Sequence, residues 1–238
     1  MKQERIIAAI HQPNFLPWLG FFDKIFRSDV FVILDHVTNR PNDAIWTKRV
    51  QVICNQEPFW LTVPLKKPKG IEFVPINQML INHEDKYKDK HLKTIQLNYG
   101  KLPYYTEVFD LLTQFYNYES DLIAEKNLFF ITKVCEMLGI KRHFVKSSDL
   151  NCHSVSTELL AEICKKVNAD VYIYGRGSGG YQDNEILENH NIQPVPQGFI
   201  HPKYTQLNTK NFVPGLSIID ALMNVGTEGT KKLFNSGS

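Results

Sequence analysis

The sequence has little charge of one sign, few cysteines and no long apolar run, and each shortage excludes a class of protein. Lys and Arg number 27 against 25 Asp and Glu, a formal +2. That is too small for long-range attraction to nucleic acid or an anionic membrane, so no nucleic-acid partner is expected. The four cysteines, Cys54, Cys135, Cys152 and Cys164, stand apart with no Cys-x-x-Cys pair; they read as reduced packing residues rather than a disulfide framework. The first apolar run, residues 6–10, stops at His11-Gln12, too short for a signal-peptide core or a membrane span. A cytoplasmic protein without a membrane span is expected. His83, His91, His143, His153 and His190 show no metal-ligand spacing, and no H-E-x-x-H, Walker A or G-x-S-x-G motif occurs; no metal is expected.

What is present is a chain of 238 residues, 43% hydrophobic, long enough to bury a full core. Ile6-Ile7-Ala8-Ala9-Ile10 and residues 30–34 are β-type apolar runs, and between them residues 17–26 have apolar side chains at helical spacing behind Pro17. Strand, helix, strand is a βαβ unit, right-handed by rule. Val50-Gln51-Val52 and residues 59–63 predict a hairpin or a pair of neighbouring strands. Helical spacing follows over residues 87–99 and 104–138, ending at Gly139. Residues 156–167 predict another helix, residues 170–175 a third βα-type strand, and residues 216–225 a short closing helix. The expected architecture is one α/β domain over residues 1–238: a three-layer parallel-sheet core with a helical insertion over about residues 84–140.

In an open parallel sheet, ligands bind beyond the carboxyl ends of the strands. The polar residues just past the predicted strands are His11, Gln12 and Asn14, then Asp35 and His36, then Gly175, Arg176, Gly179 and Gly180. His11 is a candidate acid/base, or a residue that fixes the turn through Pro13. Asp35 either orients His11 or caps a turn. The 175–180 glycine loop offers backbone N–H groups and the Arg176 fork to an anion, or is a loop needing positive φ. Trp46-Thr47-Lys48-Arg49 is a basic cluster beside aromatic strands, suited to a diphosphate or sugar, or a solvated strand edge. Tyr172, Tyr174, Tyr181, Phe199 and Tyr204 suit stacking on a base or sugar ring, or core packing.

The string His11-Gln12-Pro13-Asn14-Phe15-Leu16-Pro17-Trp18-Leu19-Gly20-Phe21-Phe22-Asp23-Lys24-Ile25, followed by Asp29-Val30 and Val32-Ile33-Leu34-Asp35, closely resembles the WbqC-like family of bacterial proteins. Similar segments recur at Arg49, Trp60-Leu61-Thr62-Val63-Pro64, His91-Leu92-Lys93-Thr94-Ile95, Tyr174-Gly175 with Gly179-Gly180-Tyr181, His201-Pro202-Lys203-Tyr204-Thr205-Gln206, and residues 212–220. The sequence departs from the family pattern at residues 42–48 and at Arg176. The resemblance implies a place in O-antigen or other surface-polysaccharide biosynthesis and a transferase, with glycine as a candidate acyl group, forming an amide on a nucleotide-linked or lipid-linked amino sugar. His11 and Asp35 are then the expected catalytic residues. Gln12, Asn14, Lys24, Arg49, His91, Tyr174, Gly175, Arg176, Gly179, Gly180, Tyr181, His201, Tyr204 and Gln206 are the expected substrate-binding residues. The opening βαβ also looks like nucleotidyltransferase-type α/β enzymes, which adenylate an acid and pass the acyl group to an amine; that implies ATP or an acyl donor as a co-substrate, although their His-x-Gly-His signature is missing. The alternative is a non-catalytic module that binds a sugar nucleotide or lipid carrier.

Overall fold

The computed structural model describes residues 5–39, 45–67, 70, 72–84, 86–175 and 182–235. In chain order the elements begin with β1 (Ile7–His11), α1 (Leu19–Phe26), β2 (Val30–Ile33), β3 (Thr38–Asn39), α2 (Ile45–Lys48), β4 (Arg49–Cys54), β5 (Glu57–Thr62) and β6 (Val74–Pro75). Three helices follow, α3 (Tyr87–Tyr99), α4 (Tyr105–Asn117) and α5 (Ile123–Leu138). The chain then runs through β7 (His143–Lys146), α6 (Ser156–Lys166), β8 (Val171–Tyr174), α7 (Asn184–Asn189), β9 (Gln193–Pro196) and α8 (Ile218–Asn235). These elements fall into two compact units. The first holds Met1–Gln12, Asp23–His36 and Ile140–Phe199; the second holds Pro13–Phe22, Val37–Gly139 and Ile200–Ser238.

The first unit is built on a five-stranded parallel sheet in the order β7-β2-β1-β8-β9. β1 is central because Ala8, Ala9 and Ile10 bury both faces, and small alanines let neighbouring layers approach. Phe31, Val32 and Ile173 extend the same core, each worth roughly 1.5–3 kcal/mol when buried. At the amino edge the Asp29 and Asp170 carboxylates accept from the backbone N–H groups of Ile7 and Ile6, both at 2.9 Å, and fix the register of β1 against its neighbours. From β1 the chain winds one way to β2 and β7, then crosses to β8 and β9. Right-handed crossovers put α1 on one face and α6 and α7 on the other, a three-layer α/β fold. The reversal of direction lies between β1 and β8.

β9 was not legible as a strand: Gln-Pro-Val-Pro carries two prolines. It is the last strand of the sheet, and an edge strand is where missing N–H donors are tolerated.

In the second unit, β4 and β5 form an antiparallel hairpin in register from Arg49↔Thr62 to Cys54↔Glu57. Asn55 and Gln56 turn it with φ of 53° and 68°, the left-handed pair a two-residue hairpin requires. The long helical run expected over 104–138 is two helices, because Tyr118 and the Glu-Ser-Asp stretch after it leave the α4 register. α5 stops at Gly139, which takes φ 67°. The closing helix is longer than expected. α8 runs on to Asn235 through a break at Gly226, whose φ of 71° and close approach to the Tyr104 ring exclude a side chain. β3 pairs with β6, and the helices of the 84–140 stretch are α3, α4 and α5.

Candidate functional site at the carboxyl edge of the sheet

Parallel pairing brings every carboxyl end to one edge, so His11, Asp35, Ser147, Gly175 and Gln197 all lie there at or just past their strands. They divide into two groups, one on either side of the topological switch.

On the β2–β7 side, Asp35 is buried and occupied. Its Oδ1 accepts from the Ser147 hydroxyl at 3.1 Å and the Ser148 backbone N–H at 2.9 Å, and its Oδ2 accepts from the Ser148 hydroxyl at 2.9 Å. The Ser147 hydroxyl in turn accepts from the Asp35 N–H and lies against His36 Nδ1. Asp35 thus caps the 3₁₀ turn Ser147–Leu150. The bonds its carboxylate makes are to that turn, the second of the two readings the sequence left open.

On the β1–β8 side, His11 Nδ1 lies 3.0 Å from the Gln12 carbonyl. A carbonyl only accepts, so Nδ1 carries the proton and Nε2 carries the lone pair. Burial, with the Lys24 charge beside it, pushes the imidazole down to about 3, so it is neutral at pH 7. Lys24 is 5% exposed, and burial pushes its amine down to about 8 against the opposing pull of Asp23. A methyl group at Gly175 would sit 3.1 Å from Lys24 Nζ. The ammonium therefore rests against bare backbone at the end of β8, a place a side chain would contest.

Three residues missed in sequence, Asp23, Arg27 and Gln197, hold this arrangement. Asp23, buried and pushed up by desolvation, accepts from Gln197 Nε2 at 2.8 Å. Arg27 lies 3.7 Å from Asp23 and donates to the Gln197 carbonyl. Gln197 N also donates to the Tyr174 carbonyl at 2.8 Å. Gln197 escaped notice because the strand before it did; Asp23 was visible only as one letter of the opening string.

A neutral imidazole with a directed lone pair and a buried ammonium at a switch point can accept a proton and hold an anion. Gln12 is half-buried beside His11, and Tyr174 stacks at a tilt on Tyr172, 6.3 Å between centroids. Arg176, Gly179, Gly180 and Tyr181 lie outside the described residues.

The remaining expected site residues belong to the second unit. Asn14 is buried, with its Oδ1 unpaired among the described residues. His91 is a core histidine: Nδ1 meets the Tyr116 hydroxyl at 2.8 Å and the ring packs among Phe15, Tyr87 and Tyr116. His201 stacks on Trp18 and meets Tyr204 and Phe212, and burial lowers its pKa. Tyr204 and Gln206 donate to Asp220 Oδ2 at 2.8 and 2.9 Å, and Gln206 also pairs in both directions with Val213. Asp220 is fully buried and pushed up by desolvation; with these partners it pins the 204–213 segment to α8. Arg49 lies over the Trp60 ring at 3.9 Å. His201, Tyr204 and Gln206 are thereby placed in a structural network centred on Asp220.

The family model described as the WbqC-like protein family matches residues 12–232. An uncharacterized protein of Mycobacterium tuberculosis, Rv1507c, is 31% identical over 223 residues, covering 93% of this chain and 94% of its own. No solved structure matches.

Proposed function

We propose that this chain, which belongs to the WbqC-like protein family, is a transferase that forms an amide on an amino sugar, glycine being one candidate acyl group, in surface-polysaccharide biosynthesis. The observation that carries the proposal is the neutral His11 at the end of β1, its Nε2 lone pair fixed by the Nδ1–Gln12 bond and its neighbour a buried lysine. An amine attacking an acyl carbon forms a C–N bond as the bond to the leaving group breaks, and the nitrogen must shed a proton. His11 Nε2 accepts that proton. Lys24 holds the anionic part of the donor, a carboxylate or a phosphate.

The two roles are coupled. The Lys24 charge is the second cause of the depressed His11 pKa, so an anion bound on Lys24 cancels it and moves the imidazole toward the range where it takes a proton. The specific observation favouring the binding-module alternative is how far burial alone pushes His11 down; such an imidazole acts as a hydrogen-bond acceptor.

Thermal-shift measurements against ATP, acyl-CoA donors, glycine and nucleotide-linked amino sugars identify the ligands, since a hundredfold excess over Kd adds about 2.7 kcal/mol. Turnover with the ligands so found, in wild type and His11→Ala, is the test. Loss of at least about a hundredfold in kcat with folding retained is the expected outcome. A folded, fully active His11→Ala protein overturns the transferase reading, and an effect on affinity alone supports the binding module.

A further inference from the structure

The second unit carries a guanidinium that meets no carboxylate among the described residues. Arg49 opens β4 and is half-buried, with its planar head stacked 3.9 Å above the Trp60 ring. Its Nε is buried and makes no hydrogen bond, and among the described residues no carboxylate pairs with the head. A partly buried charge is ordinarily paired, and the acceptor is ordinarily an oxygen. The stacking fixes the fork, so little side-chain freedom is lost when that oxygen arrives.

Beside it stands an exposed aromatic. Trp46 is 55% exposed and its ring centroid is 5.9 Å from that of Trp60. Nothing in the local chain requires it to be tryptophan: its backbone carbonyl accepts from Phe15 N, and that bond any residue supplies. Strand alternation turns Val50, Val52 and Leu61 inward and sets Arg49, Gln51, Trp60 and Thr62 on the other face of the hairpin. An exposed indole, a second indole and a guanidinium with no carboxylate partner among the described residues thus share one small surface.

We infer that this face of the β4–β5 hairpin binds a ring that carries an anionic group, the ring lying on Trp46 and a phosphate or carboxylate oxygen on Arg49. Both a pyranose phosphate and a nucleotide have that chemistry, since each offers a stackable ring face and a charged oxygen a few bonds away. The inference uses neither His11 nor Lys24, the residues that carry the acyl-transfer proposal, and shares with it only Arg49, one of the substrate-binding residues expected from sequence.

Tryptophan fluorescence of the full chain, excited at the red edge, tests it with four probes: glucosamine 6-phosphate, uridine monophosphate, and their unphosphorylated counterparts glucosamine and uridine. Saturable quenching by one of the phosphorylated rings, at least about tenfold weaker with its unphosphorylated partner, is the expected result, and which ring binds separates sugar from base. Trp46→Ala, a surface change that leaves the melting temperature in place, lowers the affinity about tenfold or more, and Arg49→Gln abolishes the preference for the phosphorylated ring. His11→Ala retains the binding in full, which keeps this outcome apart from that of the turnover test. No quenching by either phosphorylated ring at millimolar concentration, or equal binding by wild type and Trp46→Ala, overturns the inference.

Discussion

Two buried lysines, one in each unit, have amines pushed by desolvation to the same value of about 8, yet they sit in opposite surroundings. Lys126, in α5, donates to the Tyr118 carbonyl at 2.6 Å and lies 3.5 Å from that of Tyr116, so it satisfies the open carbonyls at the end of α4. It lines a cavity of about 510 Å³ with Lys88, His83 and Asp121. Lys24, in α1, lies against the bare backbone of Gly175, its charge opposed only in part by neighbouring Asp23. The first lysine closes a structural gap, whereas the second holds a charge at a place where the fold gathers strand ends. A depressed pKa by itself distinguishes nothing; the partner of the amine does.

The largest expected effect sharpens what a satisfied buried group is worth. Asp220→Leu leaves the Tyr204 hydroxyl and the Gln206 amide without their acceptor and is expected to cost about 3 kcal/mol in urea unfolding, whereas Asp220→Asn, which keeps an acceptor, costs less than about 1 kcal/mol.

The lysines come next, with opposite signs. The unfolded Lys24 amine holds its proton up to about pH 10.4 and the folded one only to about 8, so the buried charge costs stability at neutral pH and that cost fades as pH rises through this window. Lys24→Met is therefore expected to raise stability at pH 7 by on the order of 1–2 kcal/mol while removing anion binding at the sheet edge. Lys126→Met should lower it by about 1 kcal/mol because two helix-end carbonyls lose their donor. Equal signs for the two variants would break the comparison.

Acid sensitivity follows from His11. The unfolded imidazole takes a proton below about pH 6.5 that the folded one refuses until about 3, so stability falls as pH drops through that window, by at most about 1.4 kcal/mol per pH unit. His11→Gln should flatten the slope of unfolding free energy against pH and change little at pH 7. Gly175→Ala is the smallest change: its methyl presses on the far end of the flexible Lys24 side chain, costing less than about 1 kcal/mol yet weakening any anion bound there.

Most of the sheet was legible because buried parallel strands are uninterrupted apolar runs, and those of β1, β2 and β8 end in polar residues or glycine. The hairpin announced itself through two such runs around Asn55-Gln56. β9 did not, because prolines forbid a central strand and nothing in the sequence says that a strand is at the edge. His11 and Lys24 were within reach as residues beyond a strand end and in its following helix. Their protonation was not, since it depends on burial and on each other's charge. Asp220 left one trace, a carboxylate inside the apolar turn Ile218-Ile219-Asp220-Ala221-Leu222, which ordinary helix patterning places on the wrong face. Asp35 stayed open because a carboxylate after a strand serves a turn and an active site equally well, and its bonds to Ser147 and Ser148, more than a hundred residues on, are not visible in sequence.

The direct measurement is an NMR titration of the His11 ring nitrogens in the wild-type protein and in Lys24→Met. The pairing described here requires a neutral ring protonated at Nδ1 from pH 7 down to about 4 in the wild type, and a higher pKa once the Lys24 charge is gone. An imidazole that titrates near 6.5 in both proteins, or carries its proton on Nε2, would contradict it.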